Sequence, residues 1–144
     1  MRMINWNGKD AILISHWNGG SRYLGMSERG KEKLEHISHY LNTYRIDIMG
    51  ISESNIDSDL LECEYQINNY SVMKSQGNIS RLALYFKNDL VVKERTDLYN
   101  KNACIWVEVG RGKAKWLICI YYICIYMYIL YKIFNIPGSE SYTE

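Results

Sequence analysis

The pattern that most restricts this chain lies between residues 11 and 51, where two short apolar runs flank one amphipathic segment. Ala11 to Trp17 is too short for a helix and closes on Asn18-Gly19-Gly20, which reads as a buried strand ending in a turn. Ser27 is a candidate N-cap for the segment that follows. There Leu34, Ile37, Leu41 and Tyr44 recur at spacings of three, four and three, with charges on the other faces, which predicts an amphipathic helix. Ile46-Asp47-Ile48-Met49-Gly50-Ile51 reads as a second buried strand, and Ser52-Glu53-Ser54-Asn55 is the polar run after it. Strand, helix and strand in this order imply a parallel pair joined by a right-handed crossover, with both carboxyl ends at one edge of the sheet. Asn18 and Glu53 are therefore predicted to converge.

Beyond Asp57 the pattern is all strand. Tyr70 to Met73, Arg81 to Phe86 and Leu90 to Lys93 are β-rich, with Asn88-Asp89 as the turn between the last two. Cys104 to Val109 and Lys115 to Tyr121 read as a hairpin joined by Gly110-Arg111-Gly112-Lys113, whose glycines supply positive φ. From Trp116 to Tyr131 no residue is charged across sixteen positions, and Ile, Tyr and Cys dominate until Pro137-Gly138 opens a polar end. Two readings compete for this stretch. Trp116 to Phe134 holds nineteen residues and one charge, near the lower bound of ~17 to 25 for a membrane-spanning helix. Five tyrosines, several near its centre, oppose insertion, and Ile and Tyr suit a strand.

Composition limits the rest. A 144-residue chain with 47% hydrophobic residues suits one packed domain and excludes a disordered or collagen-like chain. Lys plus Arg at 17 against Asp plus Glu at 16 leaves +1, so any nucleic-acid contact must be local. Cys63, Cys104, Cys119 and Cys124 form no CxxC pair and read as buried thiols in a reducing compartment. The early apolar run Ala11 to Ile14 is too short for a signal-peptide core, so export is not expected. His36 and His39, without a Glu-x-x-His context, read as surface residues of the helix.

The amide and carboxylate predicted at one sheet edge carry the chemistry. A carboxylate is a hard oxygen ligand suited to Mg²⁺, and an amide can bind a phosphate oxygen or orient a nucleophile. The plain alternative is that Asn18 caps a turn and Glu53 faces solvent. Ile14-Ser15-His16-Trp17-Asn18-Gly19, then a helix, then Ile46 to Ile56 through Ser52-Glu53-Ser54-Asn55, resembles the opening of the endonuclease/exonuclease/phosphatase superfamily. Ser before Glu53, with Asn two residues after it, is similar to the endonuclease domains of non-LTR retroelements rather than to the apurinic repair enzymes, which carry Gln-Glu-Thr. The resemblance continues through Asn69-Tyr70, Arg81 to Phe86, Asp97-Leu98 and Ile105 to Val109 as far as Tyr121, and so covers roughly residues 11 to 122.

The resemblance implies a partial four-layer α/β sandwich, a mixed sheet with a covering helix, in three parts: an arm (1–10), a truncated endonuclease-like domain (11–122) and an Ile/Tyr-rich extension of unrelated character (123–144). It implies hydrolysis of a DNA phosphodiester, with Glu53 holding Mg²⁺, Asn18 setting metal and phosphate geometry, and Tyr121 reaching the scissile phosphate. Arg81, at the start of its strand, is a candidate DNA-phosphate contact, weighed against a solvated or paired charge. DNA is the implied partner and a nuclear location the implied setting, with no small-molecule cofactor and no membrane; oligomeric state is left open. One departure is large. The family's Asp-x-Asn pair and late Asp-His pair have no counterpart, because Leu98 to Glu144 contains no Asp and no His. The sequence therefore predicts the first half of such a domain, catalytically inactive. It further predicts that the second sheet is missing from over the inner face of the first, leaving apolar surface bare. The competing reading is a membrane-anchored or protein-binding module using residues 116–134 as the anchor.

Overall fold

The computed structural model describes residues 2–4, 11–20, 24, 27–98, 104–121 and 127–130, the first and last of these as backbone strands. The elements are β1 (Arg2–Ile4), β2 (Ile14–Asn18), α1 (Glu28–Thr43), β3 (Ile48–Asp57), β4 (Tyr70–Lys74), β5 (Ile79–Lys87), β6 (Val91–Glu94), β7 (Cys104–Arg111), β8 (Ala114–Tyr121) and β9 (Met127–Leu130).

The predicted crossover is present. β2 and β3 pair in parallel, from Ile14 opposite Ile48 to Asn18 opposite Ser52, with α1 between them in sequence. Ser27 caps α1, its Oγ accepting the Gly30 N–H at 3.1 Å. Ile37 and Leu41 are fully buried and Leu34 packs beside them. Tyr44 was expected on the same stripe but is 51% exposed, because the helix ends at Thr43 and Tyr44 serves as its C-cap.

The first sheet has the order β1-β2-β3-β5-β4, and the second, wholly antiparallel, β6-β7-β8-β9. Sequence reasoning expected no second sheet, and this is the main correction. The strands from Val91 onward alternate so that Ile105, Val107, Val109, Trp116, Ile118 and Ile120 share one face, packed on Ile14, Ile48, Leu82 and Leu84 of the first sheet. The inner face is thus covered. β6 follows β5 after only Asn88, Asp89 and Leu90, yet it pairs elsewhere, because β5 already has β3 and β4 on its two edges. On the far side of the first sheet Ile37 and Leu41 close a second core with Met49, Ile51, Ala83 and Tyr85. The result is helix, mixed sheet, antiparallel sheet, in that order of layers.

One polar knot fixes the layers at the amino ends of β2 and β3. Asp47 accepts from the Leu13 N–H at 2.8 Å, from Arg111 Nη2 at 2.7 Å and from Lys87 Nζ at 3.2 Å. Arg111 Nη1 also donates to the Ala11 carbonyl at 2.9 Å. Arg111 leads into the Gly112-Lys113 turn, where Gly112 takes φ +58°, so the knot ties the β7–β8 hairpin tip to the start of both parallel strands. At the other end of β8, a Cβ at Gly50 would lie 2.8 Å from Ile120 Cδ1, so glycine there lets Ile120 pack directly on β3.

The uncharged stretch is strand where it is described: residues 116–121 lie in β8 and 127–130 in β9. Among the described residues no helix is long and apolar enough to cross a membrane, so the spanning-helix reading is overturned there. Cys104 and Cys119 are buried as expected, and burial beside Cys104 pushes the Cys119 thiol up to about 12. Cys63 is instead exposed, in a short 3₁₀ turn, while Cys124 lies outside the described residues.

Candidate functional site at the carboxyl edge

Asn18 ends β2 exposed, and its Oδ1 accepts the Gly20 N–H at 2.8 Å, the hydrogen bond of an Asx turn. The turn is held against β3. Gly19 N–H donates to the Ser52 carbonyl at 2.6 Å, Asn55 Nδ2 donates to the Gly20 carbonyl at 3.2 Å, and Lys33 Nζ donates to the Gly19 carbonyl. A Cβ at residue 19 would stand 2.6 Å from the Glu53 carbonyl oxygen, so glycine is required where the two strand ends meet.

Glu53 does not sit in a loop after the strand, as its sequence suggested. β3 continues to Asp57 through an irregularity between Ser52 and Ile56, and within it Glu53 takes φ +56° and Asn55 φ +48°. Left-handed backbone at a non-glycine residue costs on the order of 1 to 3 kcal/mol and persists only when the surroundings impose it. Here they do: Ser54 Oγ donates to the Ser80 carbonyl at 2.9 Å, and the Ser54 carbonyl accepts the Leu24 N–H at 3.2 Å. Bulges of this kind re-aim a side chain next to active sites. Glu53 is half-buried, and among the described residues its carboxylate has no hydrogen-bond or ion-pair partner.

Sequence reasoning passed over His16. Ile14 and Ile48 face the second sheet, so strand alternation places His16 and Ser52 on that same face, one step before Asn18 and Glu53. His16 Nε2 and Ser52 Oγ are 3.1 Å apart. Burial lowers the His16 pKa below its ordinary 6.5, so the ring is neutral at pH 7 and able to share a proton with the Ser52 hydroxyl. The only sequence signal was the alternation Ile14, His16, Asn18 against Ile48, Gly50, Ser52.

The two other sequence candidates are less directly placed. Tyr121 ends β8, where Ile120 points into the inter-sheet core against Gly50, so alternation turns Tyr121 to the face that looks away from the first sheet. Arg81 is exposed on the β5 face that also carries Ala83 and Tyr85, toward α1, opposite the irregular part of β3. The structure thus brings Asn18 and Glu53 together, sets Arg81 opposite the irregular part of β3 on the helix-side face, and turns Tyr121 away from the first sheet. Among the described residues no three His, Cys, Asp or Glu side chains cluster as a metal site.

An open cleft of about 430 Å³ adjoins this edge, walled by Trp17 to Gly20 on one side and by Arg29, Glu32, Lys33 and His36 of α1 on the other. His36 and His39 are exposed, as the sequence suggested.

No family model matches the chain, and no curated protein does. Among solved structures it is similar to the endonuclease domain of TRAS1, a telomere-specific non-LTR retrotransposon. The likeness has a TM-score of 0.53 at 17% identity and covers 74% of this chain. The chain spans 42% of that domain's length. The fold is that of a retroelement-type endonuclease domain over the part the chain contains.

Proposed function

We propose that the carboxyl edge of β2 and β3 is the metal- and phosphate-binding half of a DNA phosphodiesterase site, and that these 144 residues do not complete the reaction alone. The observation that carries the reading is the strained turn in β3, which holds at Glu53 a carboxylate with no partner among the described residues, against the Asn18 turn, in a fold shared with a retrotransposon endonuclease domain.

The donor set fits Mg²⁺. That ion keeps several waters and takes one or two carboxylates plus substrate phosphate oxygens, so Glu53 with hydroxyl and amide neighbours is a suitable hard-oxygen partner. When bound, Mg²⁺ would neutralise charge developing on a phosphodiester. The chain's own residues do the rest. Glu53 holds the ion, and the Asn18 side chain, with its Oδ1 engaged by Gly20 N–H, leaves its amide N–H groups to donate to a phosphate oxygen. His16 fixes the Ser52 hydroxyl beneath them. Arg81 contributes beside them through backbone phosphates.

Hydrolysis needs a base for water and an acid for the leaving oxygen. After Asp97 the sequence offers no Asp or His to supply them, so the proposed state is a chain that binds DNA through Mg²⁺ without cutting it. The test is nicking of supercoiled plasmid in Mg²⁺ by the folded chain beside Glu53→Ala. No nicking by either is the expected result. Nicking by the native chain that vanishes in Glu53→Ala would show that other groups complete the site.

A further inference from the structure

We infer that the cleft between the end of β2 and α1 is a second contact for the same nucleic acid, a subsite for its phosphodiester backbone, with Arg29 and His36 as the contacting side chains. The inference rests on the proposed DNA-binding function.

Arg29, Lys33 and His36 fall at i, i+4 and i+7, one stripe of the helix, and all three line the cleft. Their stripe is distinct from the one formed by Ile37 and Leu41, which is buried under the sheet. The arrangement opposes helix stability in two ways. Arg29 lies in the first turn, where the positive end of the helix dipole disfavours a cation. Arg29 and Lys33 at i, i+4 also repel each other. Glu28 in the first turn and Glu32 in the cleft offset part of this, and a phosphate seated against Arg29 would offset more.

The opposite wall suits a backbone rather than a free ion. Trp17 is half-buried and presents a flat apolar edge, and Gly20 has open space where a Cβ would project. Lys33 spans the cleft to the Gly19 carbonyl and so fixes its width. Asn18 lines the cleft and also ends the strand beside Glu53, so a strand of nucleic acid lying across the Asn18 turn passes from one site to the other without leaving the surface. The whole chain carries only +1, so this cluster is a local feature and not the average of the surface. Contacts of this type position a duplex and carry no base sequence.

The test is fluorescence anisotropy of a labelled 12-base-pair duplex and of the matching single strand, over a salt series with EDTA present so that the Glu53 site is silent. The variants are Arg29→Gln with His36→Gln, each at an exposed helix position, and Glu32→Gln. Arg29→Gln with His36→Gln is expected to weaken binding and to lower the slope of log affinity against log salt by about 1, as when one fewer phosphate is neutralised by the protein. Glu32→Gln, removing the one carboxylate among the described residues that line the cleft, is expected to tighten binding. Unchanged slopes in both variants, with Mg²⁺-dependent binding through Glu53 intact, overturn the subsite and leave the proposed function standing. Absence of DNA binding by the native chain in every arm overturns both, as does polyglutamate displacing labelled DNA no less well than unlabelled duplex does.

Discussion

The two ends of the parallel pair are built on opposite principles. At the amino end the buried charge is answered: Asp47 is 5% exposed and accepts three hydrogen bonds, from Leu13, Lys87 and Arg111. At the carboxyl end Glu53 is left without a partner among the described residues, on backbone that a glycine would adopt more readily. One edge holds the layers in register, and the other holds strain and an unanswered carboxylate. Proteins that break local rules at one place commonly do so where they bind or react, and rely on the rest of the fold to keep the site in place.

Asp47→Ala should produce the largest effect, because it removes the one carboxylate that Arg111, Lys87 and the Leu13 N–H share. A loss of about 3 kcal/mol is expected in urea unfolding, at the low end for a broken buried pair because both cations are partly solvated. A loss under ~1 kcal/mol would mean the knot does not hold the layers. The pH dependence follows from the same group. Burial pulls the Asp47 pKa up, but Arg111, the Leu13 N–H and Lys87 outweigh it and hold the carboxyl below its ordinary 3.8. Its contribution is therefore complete above about pH 4 and is lost as pH falls through the folded value. Asp47→Asn should flatten stability in that acidic range, and an unchanged acid limb would contradict the assignment.

Gly19→Ala is the next test, and it acts on the other end. The new methyl meets the Glu53 carbonyl, so either the Asn18 turn or the β3 bulge must shift, at about 2 kcal/mol. Calorimetry should show the loss, together with weaker Mg²⁺-dependent DNA binding. Glu53→Gly should move stability the other way. Relief of the left-handed backbone is expected to raise stability by about 1 kcal/mol while abolishing the metal response. A destabilised Glu53→Gly would show that the side chain supports the fold instead of the site. Ser27→Ala, which removes the helix cap without touching Glu53 or Asp47, should lower stability by about 1 kcal/mol and leave the Mg²⁺-dependent gain in binding unaltered.

Much of the fold was legible in the sequence because period and punctuation agree there. The runs 11–17 and 46–51, the Ser27 cap and the Gly112 turn each specify local geometry without help from distant residues. The second sheet was not legible, since nothing local in Val91 to Glu94 says that both edges of β5 are occupied before β6 arrives. Asn18 and Glu53 could be paired from the crossover alone. The passage of β3 through Ser52 to Asn55 could not, because it depends on Ser80 accepting from Ser54 across the sheet. His16 is remote from Ser52 along the chain, and only the register of the parallel pair places it alongside. Arg29, Lys33 and His36 stand at helical spacing in the sequence, but nothing there shows that the Asn18 turn faces them across a cleft.

The central claim is that Glu53 is held strained and partnerless in order to bind a divalent ion that in turn holds DNA. The most direct measurement is duplex affinity in Mg²⁺ and in EDTA for the native chain and Glu53→Ala, with folding checked for both. Mg²⁺ should tighten native binding about tenfold or more, some 1.4 kcal/mol, and should give Glu53→Ala no such gain. An equal gain in both proteins, or none in the native chain, would contradict the claim.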